Sequence, residues 1–252
     1  MIRWEEIKDS VRGFTIIELF VITAILSILM LLFIPVLQKA KLKSLDAVCI
    51  GNLKQFSLAG QMYWNDNHGK TFPYRIDTID GGDTYWFGWF ERGTEGRRRF
   101  DVTRGALYRY IKDSGTQNCA RLDHINDRFK LKAIGSAYGY GYNLKLGESK
   151  MGFAINSLFD PSASAFLADA AQVNTFQAPA SKDNPMIEEF YYVNDREKTA
   201  HFRHNKNSFV AFCDGHVASN SFVKGSIDQR MPSHWIGRLP QNVFFLKSVS
   251  EN

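Results

Sequence analysis

The chain has 252 residues, 44% of them hydrophobic and 23% charged, with a formal net charge of +5. That excess is too modest to mark a nucleic-acid-binding protein. The one dense basic cluster, Arg97-Arg98-Arg99 with Arg92 and Arg104 nearby, has no binding motif around it and reads as a solvated loop. No internal repeat or low-complexity linker is present.

Residues 1–13 form a short polar leader in which Glu5, Glu6 and Asp9 balance Arg3, Lys8 and Arg12. An apolar run comes next: from Leu19 to Leu37 no side chain is ionisable, and Thr23, Ser27 and Pro35 are its only interruptions. At about 1.5 Å per residue it spans roughly 28 Å, close to the ~30 Å of a bilayer's hydrocarbon core. A helix apolar on every face has no side left for water, so residues 14–37 are expected to span a membrane. No small-x-small site closes the run, so ordinary secretory processing fits less well.

Glu18 lies just inside the apolar boundary, where a carboxylate is costly unless it is neutralised, paired or drawn out to the interface. A cut after Gly13 would create a free amine on Phe14, one helical turn before Glu18. The two could pair within one chain or between staggered neighbours; the other account is that Glu18 simply reaches back to the interface.

At Gly13-Phe14-Thr15-Ile16-Ile17-Glu18, followed by this apolar helix, the chain resembles the type IV prepilin and pseudopilin family. The resemblance implies that a membrane prepilin peptidase cuts between Gly13 and Phe14 and that Phe14 is N-methylated. Glu18 would then guide subunit assembly through a neighbour's amine, and Pro35 falls where the family often has a helix-kinking proline. Lys39, Lys41 and Lys43 after the span would by charge counting stay in the cytoplasm, but the Gly-Phe-Thr-x-x-Glu pattern overrules them. It implies an inner-membrane, single-pass protein with its head in the periplasm or at the cell exterior.

Beyond the span, Leu42, Leu45, Val48, Leu53, Phe56 and Tyr63 recur at three- and four-residue steps among polar residues. This predicts an amphipathic continuation of the helix over 38–66, stopped by Asn65-Asp66-Asn67-His68-Gly69. From 67 to 252 short aromatic and β-branched runs alternate with Gly, Asp, Asn and Pro, which predicts a β-rich head large enough for its own core. The expected class is α+β: a long N-terminal helix packed on an antiparallel, pilin-like head.

Tyr85-Trp86-Phe87-Gly88-Trp89-Phe90 holds five aromatics in six residues. Such a run could stack on sugars, but it reads better as a buried strand pair. Near the end of the chain, Phe209, Ala211 and Cys213 alternate against Ser208, Val210 and Phe212, and Asp214-Gly215 separates this run from a second, shorter one, predicting a hairpin over 208–222 with a type I′ turn. Nine residues separate His204 from Asp214-Gly215, which resembles the His-x9-Asp-Gly element at the C-terminal end of one large bacterial group of prepilin-like proteins. Cys49-Ile50-Gly51-Asn52-Leu53-Lys54-Gln55, Asp66-Asn67-His68-Gly69 with Phe72-Pro73, and Tyr138–Asn143 agree with that group, whereas Asn118-Cys119-Ala120 departs from its Cys-Pro. The expectation is that the His204 side chain bonds the hairpin backbone.

His201, His204, Asp214 and His216 are zinc-binding types, but their spacing is not diagnostic, and no metal or cofactor is expected. The spacings of a nucleophile elbow, a P-loop, a dinucleotide fingerprint and a His-Glu-x-x-His helix are all missing, so no enzyme is expected. Cys49, Cys119 and Cys213 allow at most one disulfide within the chain. Cys119 with Cys213 is the expected pair, three buried thiols the alternative.

The expected function is structural: a subunit of a type II secretion pseudopilus or type IV pilus, with other pilin or pseudopilin subunits, the prepilin peptidase and the inner membrane as partners. The competing reading is a membrane-anchored binding protein or hydrolase that uses the same export route without polymerising. It predicts a deep pocket lined by acids or by Trp86 and Trp89.

Overall fold

The computed structural model describes residues 13–77, 80–112, 119–123, 127–136, 138–158 and 160–244. All of the leader except Gly13 lies outside them. The chain divides into two units, with the boundary between Ser44 and Leu45.

Helix α1 (Ile16–Asp66) carries residues of both units. In the first unit its apolar side chains are exposed throughout, Phe14, Ile16, Phe20 and Leu31 among them. This is the one helix among the described residues long and apolar enough to cross a membrane. Its few polar groups are satisfied locally. The Thr23 hydroxyl donates to the carbonyls of Leu19 and Phe20 at 3.0 Å, and Ser27 Oγ donates to that of Thr23 at 2.7 Å. In hydrocarbon such hydroxyls have no water to turn to, so these back-bonds remove a desolvation cost. The helix continues through Pro35.

In the second unit the buried face of α1 is Cys49, Asn52, Leu53, Phe56, Ser57, Ala59, Gly60 and Trp64. Val48, expected on the apolar stripe, is 48% exposed. Side-chain size is a poor guide here. Gly60 is buried because the Phe166 ring sits where its Cβ would stand, 2.6 Å away, and the face follows that close approach. α1 ends at Asp66, and His68 and Gly69 both take positive φ behind it.

The head is β-rich. Strands β1 (Arg75–Asp77), β2 (Gly82–Tyr85), β3 (Gly88–Glu91) and β4 (Phe100–Asp101) form an antiparallel sheet in chain order. A short helix α2 (Tyr108–Ile111) and strand β5 (Phe129–Lys130) come after it. Next come β6 (Tyr140–Asn143), helix α3 (Leu144–Gly147), β7 (Ala165–Asp169), β8 (Gln172–Asn174), β9 (Met186–Glu188) and β10 (Tyr192–Val193). The last strands are β11 (Ala200–His201), β12 (Asn207–Phe212), β13 (Val217–Ser221) and β14 (Ile236–Gly237).

The central sheet has the order β10-β6-β7-β12-β13. Its β10–β6 pair is parallel, as is β5–β9 in a three-stranded sheet. Among the described residues the head is otherwise antiparallel, as expected; these two short pairs join strands far apart in sequence, as parallel pairing requires.

The aromatic run is core. Trp86 and Trp89 are buried, Trp86 meets Phe56 edge-on at 5.3 Å, and Phe87 stacks on Tyr138 at 3.6 Å. No sugar-stacking face is left at these tryptophans, so the aromatic pocket required by the competing reading is not built from them.

β12 and β13 form the expected hairpin, but its turn differs. Phe212 N donates to His216 O at 2.9 Å and Gly215 N to Phe212 O at 3.0 Å, enclosing a three-residue loop in which Gly215 alone has positive φ, +97°. A type I′ turn needs two such residues, and Asp214 is not one. The two-residue turn lies at the other end of β12, where Asn205 and Lys206 have φ of 52° and 64° between the paired His204 and Asn207.

Candidate functional site

The N-terminal motif is held by its own side chains. Thr15 N and Thr15 Oγ1 donate to Glu18 Oε2 at 2.8 and 2.7 Å, and Glu18 N donates to Thr15 Oγ1 at 3.3 Å. This is a reciprocal capping box, which satisfies otherwise orphaned amides at the start of α1. As a sequence signal Thr15-x-x-Glu18 was legible only as a processing motif, although a threonine with a glutamate three residues later is itself a helix-start pattern. Gly13 and Phe14 are exposed just before the cap, Phe14 at 68%.

The His-x9-Asp-Gly element is split by β12. His204 stands before the strand and is buried; Asp214 stands after it and is exposed. The fifteen-residue step along α1 from Asp46 to Gln61 rises about 22 Å, and the six residues of β12 extend about 20 Å. His204 therefore meets Asp46, while Gly215 meets Gln61: a Cβ on Gly215 would lie 3.0 Å from Gln61 Nε2, which donates to Cys213 O at 3.4 Å. The nine residues between His204 and Asp214 are the Asn205-Lys206 turn, the six residues of β12 and Cys213, and together they carry the chain from Asp46 to Gln61 of α1.

The His204 side chain does not bond the hairpin backbone, contrary to expectation. Its Nδ1 lies 2.7 Å from Asp46 Oδ1, and its Nε2 lies 3.2 Å from Asp169 Oδ2 and 3.3 Å from Cys119 Sγ. Asp169 is fully buried. Burial pushes its carboxyl up, but the Arg203 guanidinium at 2.7 Å, together with His204 and the Phe209 amide, outweighs that and holds it below the usual carboxylate range. Through the Phe209 amide, Asp169 also fixes the start of β12.

Cys119 is joined to Cys49, not to Cys213. Cys213 is a buried free thiol, 4% exposed, and burial pushes its pKa up. Grouping cysteines by domain misses the pair because Cys49 lies on the part of α1 that belongs to the head. Cys49, Cys119 and His204 bring their ligand atoms within 4.8 Å of one another, but the two sulfurs are already bonded to each other. The four suspected metal residues do not converge: His201 meets Arg203 at 2.9 Å, and His216 pairs with Asp214 at 2.7 Å at the surface.

A second buried cluster carries no sequence signal. Glu188 accepts from Lys130 and Lys132, each at 2.8 Å, from Asn174 at 2.9 Å, and from Gln172. Glu95 closes the network against both lysines. Burial raises Glu188, and Lys132 and Lys130 bring it below its ordinary value. Its neighbour Glu189 differs. It accepts from Ser136 Oγ at 2.6 Å, its Oε2 has no hydrogen-bond partner, and burial pushes its carboxyl from 4.5 to about 7.

Because this folded-state pKa is raised, the stability tied to Glu189 is fully present below about pH 4.5 and is lost as pH rises through about 7. Glu189→Gln cannot titrate. Between pH 4.5 and 7.5 the native protein is expected to lose about 3 kcal/mol relative to the variant, read from urea midpoints at both ends of that range. Parallel pH curves would refute the assignment.

Comparison with protein-family models, with curated proteins and with solved structures gives no match. The function of the chain therefore rests on these residues and their chemistry.

Proposed function

We propose that the chain is a prepilin-like subunit, cut between Gly13 and Phe14 by a prepilin peptidase, N-methylated at Phe14 and assembled through α1 into a type II secretion pseudopilus or a type IV pilus. The observation that carries this reading is the conjunction of Gly13-Phe14-Thr15-x-x-Glu18 with a helix whose apolar faces are uncovered from Phe14 to Leu37. A bilayer covers that surface before assembly, and neighbouring copies of the same helix cover it in a fibre. The head then faces the periplasm or the exterior, where the Cys49–Cys119 disulfide is at home.

The capping box sharpens the test. Glu18→Ala removes both charge and cap, whereas Glu18→Gln keeps a capping-box side chain and removes only the charge. Both variants are expected to be cut at Gly13, giving an intact mass that begins at N-methylated Phe14, and both to enter sheared fibres at least tenfold less than the native chain. Normal fibres from Glu18→Gln would sink the charge-pairing role, and an uncut Met1 in the native protein would sink the whole reading.

A further inference from the structure

Three ligand atoms of zinc-binding type meet where α1, the Cys119 segment and the start of β12 come together. Cys49 Sγ, Cys119 Sγ and His204 Nε2 all lie within 4.8 Å of one another, and all three residues are buried. His204 Nε2 stands 3.3 Å from Cys119 Sγ. Zinc bonds of about 2.3 Å to sulfur and 2.0–2.1 Å to nitrogen place a sulfur and a nitrogen of one tetrahedral site roughly 3.5 Å apart. That edge is already present. The two sulfurs share a bond with each other; as thiols they can part by side-chain rotation to the roughly 3.8 Å of a sulfur–sulfur edge.

His204 is oriented as a metal-binding histidine is. Its Nδ1 lies 2.7 Å from Asp46 Oδ1, and Asp46 is in turn faced by Arg121 at 3.5 Å. A carboxylate on one ring nitrogen keeps the proton there, fixes the ring and turns the lone pair of the other nitrogen to the metal. In the disulfide form Nε2 faces Asp169 Oδ2 at 3.2 Å, but Arg203 and the Phe209 amide also hold that carboxylate. Giving Nε2 to a metal therefore leaves Asp169 with partners.

Charge and burial both permit the ion. Zinc(II) with two thiolates adds no net charge, and the two nearby carboxylates each have an arginine. Closed sites of this kind are filled as the chain folds and not by diffusion into a finished core.

We propose that the thiol form of the chain folds around one zinc ion held by Cys49 Sγ, Cys119 Sγ and His204 Nε2, so that zinc and the disulfide are alternative closures of one clip. The chain is synthesised with thiols. Zinc(II) takes the place of the two thiol protons, which pass to solvent. A thiol oxidant of the disulfide class then removes two electrons from the thiolates: the Sγ–Sγ bond forms, the oxidant leaves as a dithiol and the ion is released. Three protein ligands leave one position, open to water or to Asp169 Oδ2. The inference stands apart from the assembly reading, since a fibre subunit and an anchored monomer would both carry the clip.

The test uses full-length protein in non-ionic detergent, reduced with a phosphine, unfolded, and refolded with zinc or with cobalt(II) as its coloured stand-in. One equivalent of zinc is expected to survive desalting and to raise the unfolding temperature above that of the reduced, metal-free chain. Cobalt is expected to give a thiolate charge-transfer band and tetrahedral d–d absorption. Oxidised protein taken through the same steps should retain no metal. Cys49→Ser, Cys119→Ser and His204→Ala are each expected to weaken zinc at least hundredfold, and Cys213→Ser to leave it unchanged. Asp46→Asn, at a positioning residue, should weaken zinc about 10–100-fold with the tetrahedral cobalt spectrum retained. The same additions to native protein reduced without denaturant provide a second route that does not depend on refolding. No stoichiometric metal by either route, a cobalt spectrum without the thiolate band, or undiminished binding in Cys49→Ser, Cys119→Ser or His204→Ala would each overturn the proposal.

Discussion

Cys49→Ser and Cys119→Ser are each expected to lower the free energy of unfolding by about 4 kcal/mol, the chain-entropy value for a cross-link between residues 70 apart. The bond ties the head's stretch of α1 to the segment that carries Arg121, which also faces Asp46 of that helix at 3.5 Å. Without it the denatured chain gains freedom, while the contacts of Arg121 with Asp46 and with the Arg203 carbonyl remain to hold that segment in the native state. The double variant is expected to cost no more than either single one, because both remove the same bond. Cys213→Ser should cost far less, since that thiol is buried but unbonded. Urea denaturation with and without reductant checks the set, and reduced native protein should fall onto the Cys49→Ser curve. Oxidised protein unfolded in denaturant should release one titratable thiol; three would refute the pairing.

Glu188→Ala is the second large effect, expected at about 3–5 kcal/mol. Lys130 and Lys132 are 3% and 1% exposed, and both rely on Glu188 at 2.8 Å. Glu95 alone would then face two buried ammonium groups. The cost is that of uncompensated charge and not the net worth of the pair, so replacing Lys130, Lys132 and Glu188 together by methionine should recover most of it. The pH dependence has the opposite sign to that of Glu189. With its folded-state value lowered, the stability tied to Glu188 is present above about 4.5 and is lost as pH falls through the lowered value. Urea midpoints of the single and triple variants at pH 7 decide it; a triple variant as unstable as Glu188→Ala would show that the ions contribute more than mutual compensation.

Local sequence signals lose their force at these clusters. Spacing groups His204, Asp214 and Gly215 together, yet the structure gives them separate neighbours on α1, Asp46 for the histidine and Gln61 for the glycine. The spacing records the turn and strand that lie between them and not a shared site. Asp214-Gly215 is the strongest local signal for a type I′ turn, while Asn205-Lys206 takes that geometry. Turn propensity is a weak local preference, and the pairing of β12 with β7 and β13 overrides it. Likewise Val48 loses its place on the buried face to Cys49, because the opposing surface and not side-chain size sets which stripe is covered.

By itself the sequence determined the apolar helix with its Gly-Phe-Thr-x-x-Glu start, the end of α1 near Asp66, the β-rich character of the head and the burial of the aromatic run. Each of these rests on periodicity, unbroken hydrophobicity or a few adjacent residues, so the cause lies within one or two turns of chain. Only the tertiary structure decided that Cys49 pairs with Cys119, that Asp46 and Asp169 receive His204 from 158 and 35 residues away, and that two lysines share Glu188 in the interior. The residue types involved are chemically content with many partners. Which carboxylate meets which cation, and which two of three cysteines meet, depends on the path of the backbone that carries them there.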